Sequence, residues 1–281
     1  MLPSFIAFLN KAGVACAADT SATVYHLAEG KPVGIAVNPY SPIPWEKIIS
    51  TYKVTGCYKD EDSLEGYFNQ IDALIKELPA SKEYSGTTQG DNVFIVIGYG
   101  KDDLYPSQIT AAVAVNDEGA CHAEILQRKE VTNKSPFCFC TIGCFESMSP
   151  ILYGASGAMR AFVENQYESM FEMYKQKILE KHSGAADERE IRERLAEFEI
   201  GGYLAGVMEQ ADMLINDRLE LGIQTFSIEG MVDAVETIIN TNARLDRLKE
   251  GGRCLQRRMK ELAVITKPEG MKWLVHDLYA I

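Results

Sequence analysis

The sequence predicts an α+β fold built on two stacked β-sheets, and three observations carry that expectation. Strand-like runs open the chain, helical stretches follow, and strands return, an order unlike the regular alternation of a parallel sheet with crossover helices. Val93–Ile97 is a continuous apolar run, the pattern of a central strand covered on both faces. After Ser156 the chain is helical almost to its end, where a last hairpin is expected around Pro268-Glu269-Gly270.

Each element has a local reason. Ser4–Leu9 and Gly13–Ala18 read as antiparallel strands joined across Asn10–Gly13, a connection of hairpin length, and Val33–Val37 is a third strand. The proline-rich Asn38–Pro44 resists regular structure and leads to a helix starting at Trp45. Leu64, Phe68, Ile71, Leu74, Ile75 and Leu78 recur at three- and four-residue spacing, so a helix is expected over about Ser63–Leu78, stopped by Pro79. Further strands are expected at Ile109–Val115, His122–Leu126 and Phe137–Ile142. Ala158–Lys181 carries a broad apolar stripe that includes Phe162, Tyr167, Met170, Tyr174 and Ile178, expected to face a core. Asp187–Glu199 is densely charged, with Glu188 and Arg192 four residues apart, and reads as a solvated helix. Ser227 opens the last helix, with Met231, Val235, Ile238 and Ile239 on its buried side. Leu262–Ile265 and Trp273–Val275 form the closing hairpin. The expectation is one domain over residues 1–281, with a charged helical segment at about 183–222.

Composition narrows the function classes. The 281 residues are 46% hydrophobic and 24% charged, ordinary for a globular protein. With 28 basic against 40 acidic residues the net charge is −12, which repels phosphate backbones and anionic lipid, so neither nucleic acid nor a membrane is an expected partner. No basic, cleavable leader pattern opens the sequence and no apolar run is long enough to span a bilayer, so a cytoplasmic location is expected. Seven cysteines, an odd number in strand-like contexts, point to buried reduced thiols. The Cys138, Cys140 and Cys144 cluster lacks the Cys-x-x-Cys spacing of a zinc knuckle; no metal and no other cofactor is expected.

Chemistry concentrates in Gly13–Thr23, GVACAADTSAT. Small apolar residues suit a strand closely approached by its neighbours, and Asp19 ends it. Asp19, Thr20 and Ser21 either cap a turn through local hydrogen bonds or present polar groups at the end of a buried strand. Over Ser4–Val24, SFIAFLNKAGVACAADTSATV, the chain resembles the opening of a proteasome-type N-terminal-nucleophile (Ntn) hydrolase, with Ala17-Ala18-Asp19-Thr20 in the place of that superfamily's Ala-Ala-Asp-Ser. KPVGIAV at Lys31–Val37, PWEKIISTYK at Pro44–Lys53 and the closing stretch from Glu261 resemble a bacterial branch of proteasome-like proteins.

That resemblance implies a four-layer αββα sandwich and a site at the leading hairpin. In an active member the first mature residue attacks a carbonyl through its side chain while its free α-amine takes the proton. The family spacing puts that residue at Pro3, which has no nucleophile, with Ser4 beside it; Ser4 could act only if Met1–Pro3 were removed. The resemblance thus implies Ser4 and Asp19 as catalytic candidates, with Thr20, Ser21, Lys31, Gly154, Ser156 and Gly157 lining the site. The family's lysine has no clear counterpart: Lys31 is the nearest cation, and it stands where the family turns. His26 could lie near Asp19, although a lone histidine is more often structural. Where the branch has Gly-Gly-Pro-Ile-Asp, this chain has Arg257-Arg258-Met259-Lys260-Glu261. A competing pattern, Gly154-Ala155-Ser156-Gly157-Ala158 with Asp246 and His276 downstream, approximates the nucleophile elbow of an α/β hydrolase but lacks the final glycine.

The favoured expectation is a non-catalytic proteasome-like protein serving assembly or binding, self-associating as a homo-oligomer. The alternatives are an amide or peptide hydrolase with an N-terminal nucleophile exposed by processing, taking a peptide or amide substrate, and a serine hydrolase using Ser156.

Overall fold

A computed structural model of the chain describes residues 4–55, 61, 63–78, 92–116, 120–143, 157–183, 188–197, 206, 224–249 and 259–276. The first two strands are neighbours both in sequence and in the sheet. β1 (Ser4–Asn10) and β2 (Gly13–Asp19) make an antiparallel hairpin in the register Phe5 to Ala18 through Asn10 to Gly13. Asn10 closes the turn by accepting from the Ala12 amide at 2.8 Å and donating to the Phe226 carbonyl at 2.9 Å. Gly13 is required there: its φ is +154°, and a Cβ would meet Ile228 Cδ1 at 2.7 Å and the Ile265 carbonyl at 2.8 Å.

The rest of the sheet lies on either side of that hairpin. β8 (Phe137–Gly143) pairs with β1, β9 (Met259–Thr266) pairs with β2, and β10 (Gly270–His276) pairs with β9. The order is β10-β9-β2-β1-β8, so the leading and closing hairpins meet at the centre of one sheet. The second sheet, β3-β4-β5-β6-β7, is formed by Thr23–His26, Val33–Val37, Val93–Gly98, Ser107–Val115 and Cys121–Glu130. Every pairing among these strands is antiparallel, which matches the expected mixed fold with two sheets and removes the parallel sheet that an α/β-hydrolase elbow needs.

Alternation assigns each strand face to a core. Phe5, Ala7, Leu9, Val14, Cys16, Ala18, Ala263 and Ile265 of one sheet share an apolar cluster with Val24, Ala36, Ile95 and Ile97 of the other. The small side chains of β2 let the sheets close together. Gly34 shows the same economy of space, since a Cβ on it would stand 3.1 Å from Met271 Sδ of the opposite sheet. A second cluster lies on the other face of the β3–β7 sheet, where Ile35, Val37, Phe94 and Val96 meet Trp45, Ile48 and Tyr52 of α1 (Trp45–Thr55) and Phe68, Ile71 and Ile75 of α2 (Leu64–Lys76). Each such side chain contributes about 1.5–3 kcal/mol on burial. Asp103 supplies the cap of α2, its Oδ2 accepting from the Leu64 amide at 3.3 Å and the Gly100 amide at 2.7 Å.

Three helices complete the described elements: α3 (Gly157–Lys181), α4 (Glu188–Glu197) and α5 (Ile228–Lys249). α5 lies against β1, β2 and β9 and buries Met231, Val235, Ile238 and Ile239, the four residues its spacing singled out. The chain divides into two compact units, Met1–Phe145 with Glu220–Ile281, and Glu146–Leu219. Within the second unit the α3 stripe departs from its expected burial: Tyr167, Met170, Tyr174 and Ile178 are exposed. Of the charged helical segment expected at about 183–222, Glu188–Glu197 forms α4, and 198–222 lies outside the described residues apart from Gly206. Among the described residues no helix is long and apolar enough to cross a membrane.

Gly13→Ala is expected to lower unfolding stability by about 2–4 kcal/mol, because the added methyl collides with α5 and β9 in a backbone region alanine avoids. Urea unfolding followed by circular dichroism measures it, and a loss under about 0.5 kcal/mol would show that the hairpin end is looser than described.

Candidate functional site

Continuing the β1–β2 register by one pair sets Ser4 against Asp19. The chain then turns: the Ala22 amide donates to the Asp19 carbonyl at 3.2 Å, and the Ser21 amide donates to Asp19 Oδ1 at 2.8 Å. Ser21 Oγ donates to the same Oδ1 and accepts from the Ser4 amide at 3.0 Å. Asp19 therefore both caps the turn and ends a line of polar groups that begins at Ser4. All three side chains are buried, and Ser4 Oγ has no hydrogen-bond partner among the described residues. The Ser4 nitrogen is a peptide amide, because Pro3 precedes it, and an amide has no basic lone pair.

Thr20 is half-buried, and its carbonyl accepts from the Tyr40 hydroxyl at 3.4 Å. Lys31 sits in the β3–β4 turn, its amide donating to the Ala28 carbonyl at 3.0 Å. The backbone of that turn lies against Gly270, at the end of β9 opposite to the Met259 that pairs with Asp19. The fold thus does not bring the Lys31 turn to Asp19. His26 is engaged by the same turn, with its Nε2 2.8 Å from the Lys31 carbonyl oxygen. Gly154 and Ser156 lie outside the described residues, and Gly157 opens α3 in the second unit. Asp246 lies in α5, and His276 ends β10. Cys138 and Cys140 are buried in the apolar cluster between the sheets, where burial raises the Cys140 thiol well above its ordinary range; Cys144 lies outside the described residues.

A second constellation went unread in the sequence. β3 is an edge strand, so the Val24 amide has no ladder partner on its outer side. Glu261 of β9 supplies one across the gap between the sheets, its Oε2 accepting from that amide at 2.6 Å. The Glu261 side chain is 1% exposed, and its Oε1 stands 3.7 Å from His276 Nδ1. His276 stacks on Trp273 with ring centroids 4.3 Å apart. These groups line a cleft of about 360 Å³ that also takes in Thr20, Tyr25 and Tyr40.

Burial dominates the electrostatics. It pushes the Glu261 carboxyl up to about 7, against the smaller opposing effects of the Val24 hydrogen bond and the Lys260 charge. It also lowers His276, with Lys260 adding to the effect. Burial raises the Tyr25 phenol, helped by Glu46 and Glu261, and lifts the Cys16 thiol to about 12, with Glu261 contributing. The cleft therefore holds a carboxyl that changes charge near neutrality beside a half-exposed imidazole, a pairing able to accept or deliver a proton. One sequence signal pointed to it: Glu261 shares the parity of Ala263 and Ile265, so an acid occupies a core-facing position of an apolar strand.

Compared with models of protein families, with curated proteins and with solved structures, the chain matches none.

Because folding raises the Glu261 carboxyl from 4.5 to about 7, the folded state prefers the protonated form. Its stabilising effect is fully present below about pH 4.5 and is lost as pH rises through 7, a change of about 3 kcal/mol. Glu261→Gln keeps an acceptor for Val24 and cannot ionise. Urea unfolding is expected to find the variant more stable than the parent by about 2–3 kcal/mol at pH 8 and within about 1 kcal/mol of it at pH 5. An equal difference at both pH values would show that Glu261 does not titrate in this range.

Proposed function

We propose that this chain is a proteasome-like protein of Ntn fold, an αββα sandwich whose nucleophile site is degenerate and whose role is assembly or binding. The architecture supports the reading: two five-stranded antiparallel sheets share an apolar cluster, the leading hairpin sits at the centre of one, and helices lie against it and against the far face of the other. The observation that carries the functional half is the state of Ser4. Its nitrogen is a buried amide spent as a donor to Ser21 Oγ, so the group that should take the proton is missing, and no solvent reaches the hydroxyl. Fold alone assigns no activity, and the chemistry at the site decides.

The same line of groups favours a second reading under one condition. If residues 1–3 were removed, the new α-amine of Ser4 would lie beside Ser21 Oγ, which is bonded to Asp19, and a peptide or amide hydrolase would have a nucleophile and a base in one residue.

Intact-mass measurement of the purified protein, paired with a β-lactone probe that acylates N-terminal nucleophiles, separates the two. The expected result is a chain that retains Pro3 and takes up no probe at Ser4. A chain beginning at Ser4 that labels there, with labelling abolished by Ser4→Ala, would overturn the degenerate reading and establish the hydrolase.

A further inference from the structure

The cleft at Glu261 is separate from the line of groups that begins at Ser4. It opens between the β10-β9 side of one sheet and the β3 edge of the other, with α1 alongside. We propose that it binds a free α-amino acid with an aromatic side chain, the ammonium on Glu261 and the carboxylate towards Lys53 and Lys260.

Shape and chemistry select that class. About 360 Å³ suits a small molecule and is too little for a folded partner. The Val24 amide fixes Glu261 through Oε2, so Oε1 keeps one orientation, on the side of His276. A fixed carboxylate oxygen fits the donors of an ammonium group, and Glu46 on α1 adds a second negative charge to the same cleft. Lys53 and Lys260 also line it, so a polyamine would meet repulsion, while the two carboxylates disfavour a phosphate. Charges of both signs around one small volume fit a zwitterion. Trp273, Tyr25 and Tyr40 supply ring surface for an apolar or aromatic side chain.

Burial makes binding proton-linked. An arriving ammonium favours the ionised form of Glu261, so below pH 7 binding must expel a proton from it. The titratable and charged groups around Glu261 are Cys16 from β2, Tyr25 and His26 from β3, Glu46 and Lys53 from α1, Lys260 from its own strand and His276 from β10. Raised thiol and phenol values keep Cys16 and Tyr25 neutral between pH 6 and 8, and His276, lowered by burial, is mainly neutral over most of that range. Glu261, the group that the ammonium contacts, supplies the proton that this contact expels.

Calorimetric titration of the full chain with L-phenylalanine tests the proposal, with phenethylamine as the ligand lacking a carboxylate and phenylpropionate as the one lacking an amine. One L-phenylalanine is expected to bind per chain, about ten-fold tighter at pH 8 than at pH 6, with each control at least about ten-fold weaker. Glu261→Gln is expected to weaken L-phenylalanine at least about ten-fold at pH 8 and to abolish the pH dependence, with the circular dichroism spectrum unchanged. If that variant loses its native spectrum, Lys260→Met carries the test, with an expected loss of about five-fold or more. Absence of binding at millimolar L-phenylalanine, phenethylamine binding as tightly as the amino acid, or unchanged affinity in the folded variant would each overturn the proposal.

Discussion

The packing of the two sheets against each other constrains everything else in the larger unit, and Glu261 marks where that packing meets its limit. An apolar layer between sheets works only if no backbone donor is stranded inside it. β3 is four residues long and lies at a sheet edge, so it brings an unpaired amide, that of Val24, into that layer. A carboxylate from the opposing sheet answers it at 2.6 Å. The fold thereby keeps a titratable group in its interior and raises that group's affinity for a proton.

The same constraint explains the composition of β2. Ala15, Ala17 and Ala18 flank Cys16 in a strand that is buried throughout, with α5 on one side and the second sheet on the other. Larger side chains at these positions would overpack a layer in which a Cβ at position 34 would already stand 3.1 Å from Met271 Sδ. The close approach also shapes the chemistry at the hairpin end, where hydrogen bonds join the Ser4 amide, Ser21 and Asp19 away from solvent. Buried groups of this kind stabilise a turn well. They act on a substrate only if access and a base are provided.

Much of this was legible in residue order. The strand Val33–Val37, the helix start at Trp45 and the buried side of α5 follow from spacing and from proline placement, because local pattern and tertiary burial agree there. β7 extends to Glu130, well past the expected Leu126, since its outer residues are solvated and carry no apolar alternation to mark the strand's length. β3 escaped notice for a related reason: Thr23-Val24-Tyr25-His26 is too short to show a period, and its pairing partner lies beyond a turn. The candidate residues divide likewise. Ser4 and Asp19 could be paired from hairpin register, a local property. Lys31 could not be placed, because its position depends on where the β3–β4 turn falls against the β9–β10 hairpin. Glu261 meets Val24 across 237 residues of sequence, a contact that only the stacking of the sheets creates.

The account rests on a carboxyl group that is buried where the sheets meet and held by an edge-strand amide. The most direct measurement is the pH titration of the Glu261 side-chain carbonyl by ¹³C NMR, assigned by comparison with Glu261→Gln. A midpoint at about 7 is the result the packing predicts. A midpoint near the ordinary 4.5 would contradict it, since the Glu261 carboxyl would then be solvated rather than buried at the edge of the cleft.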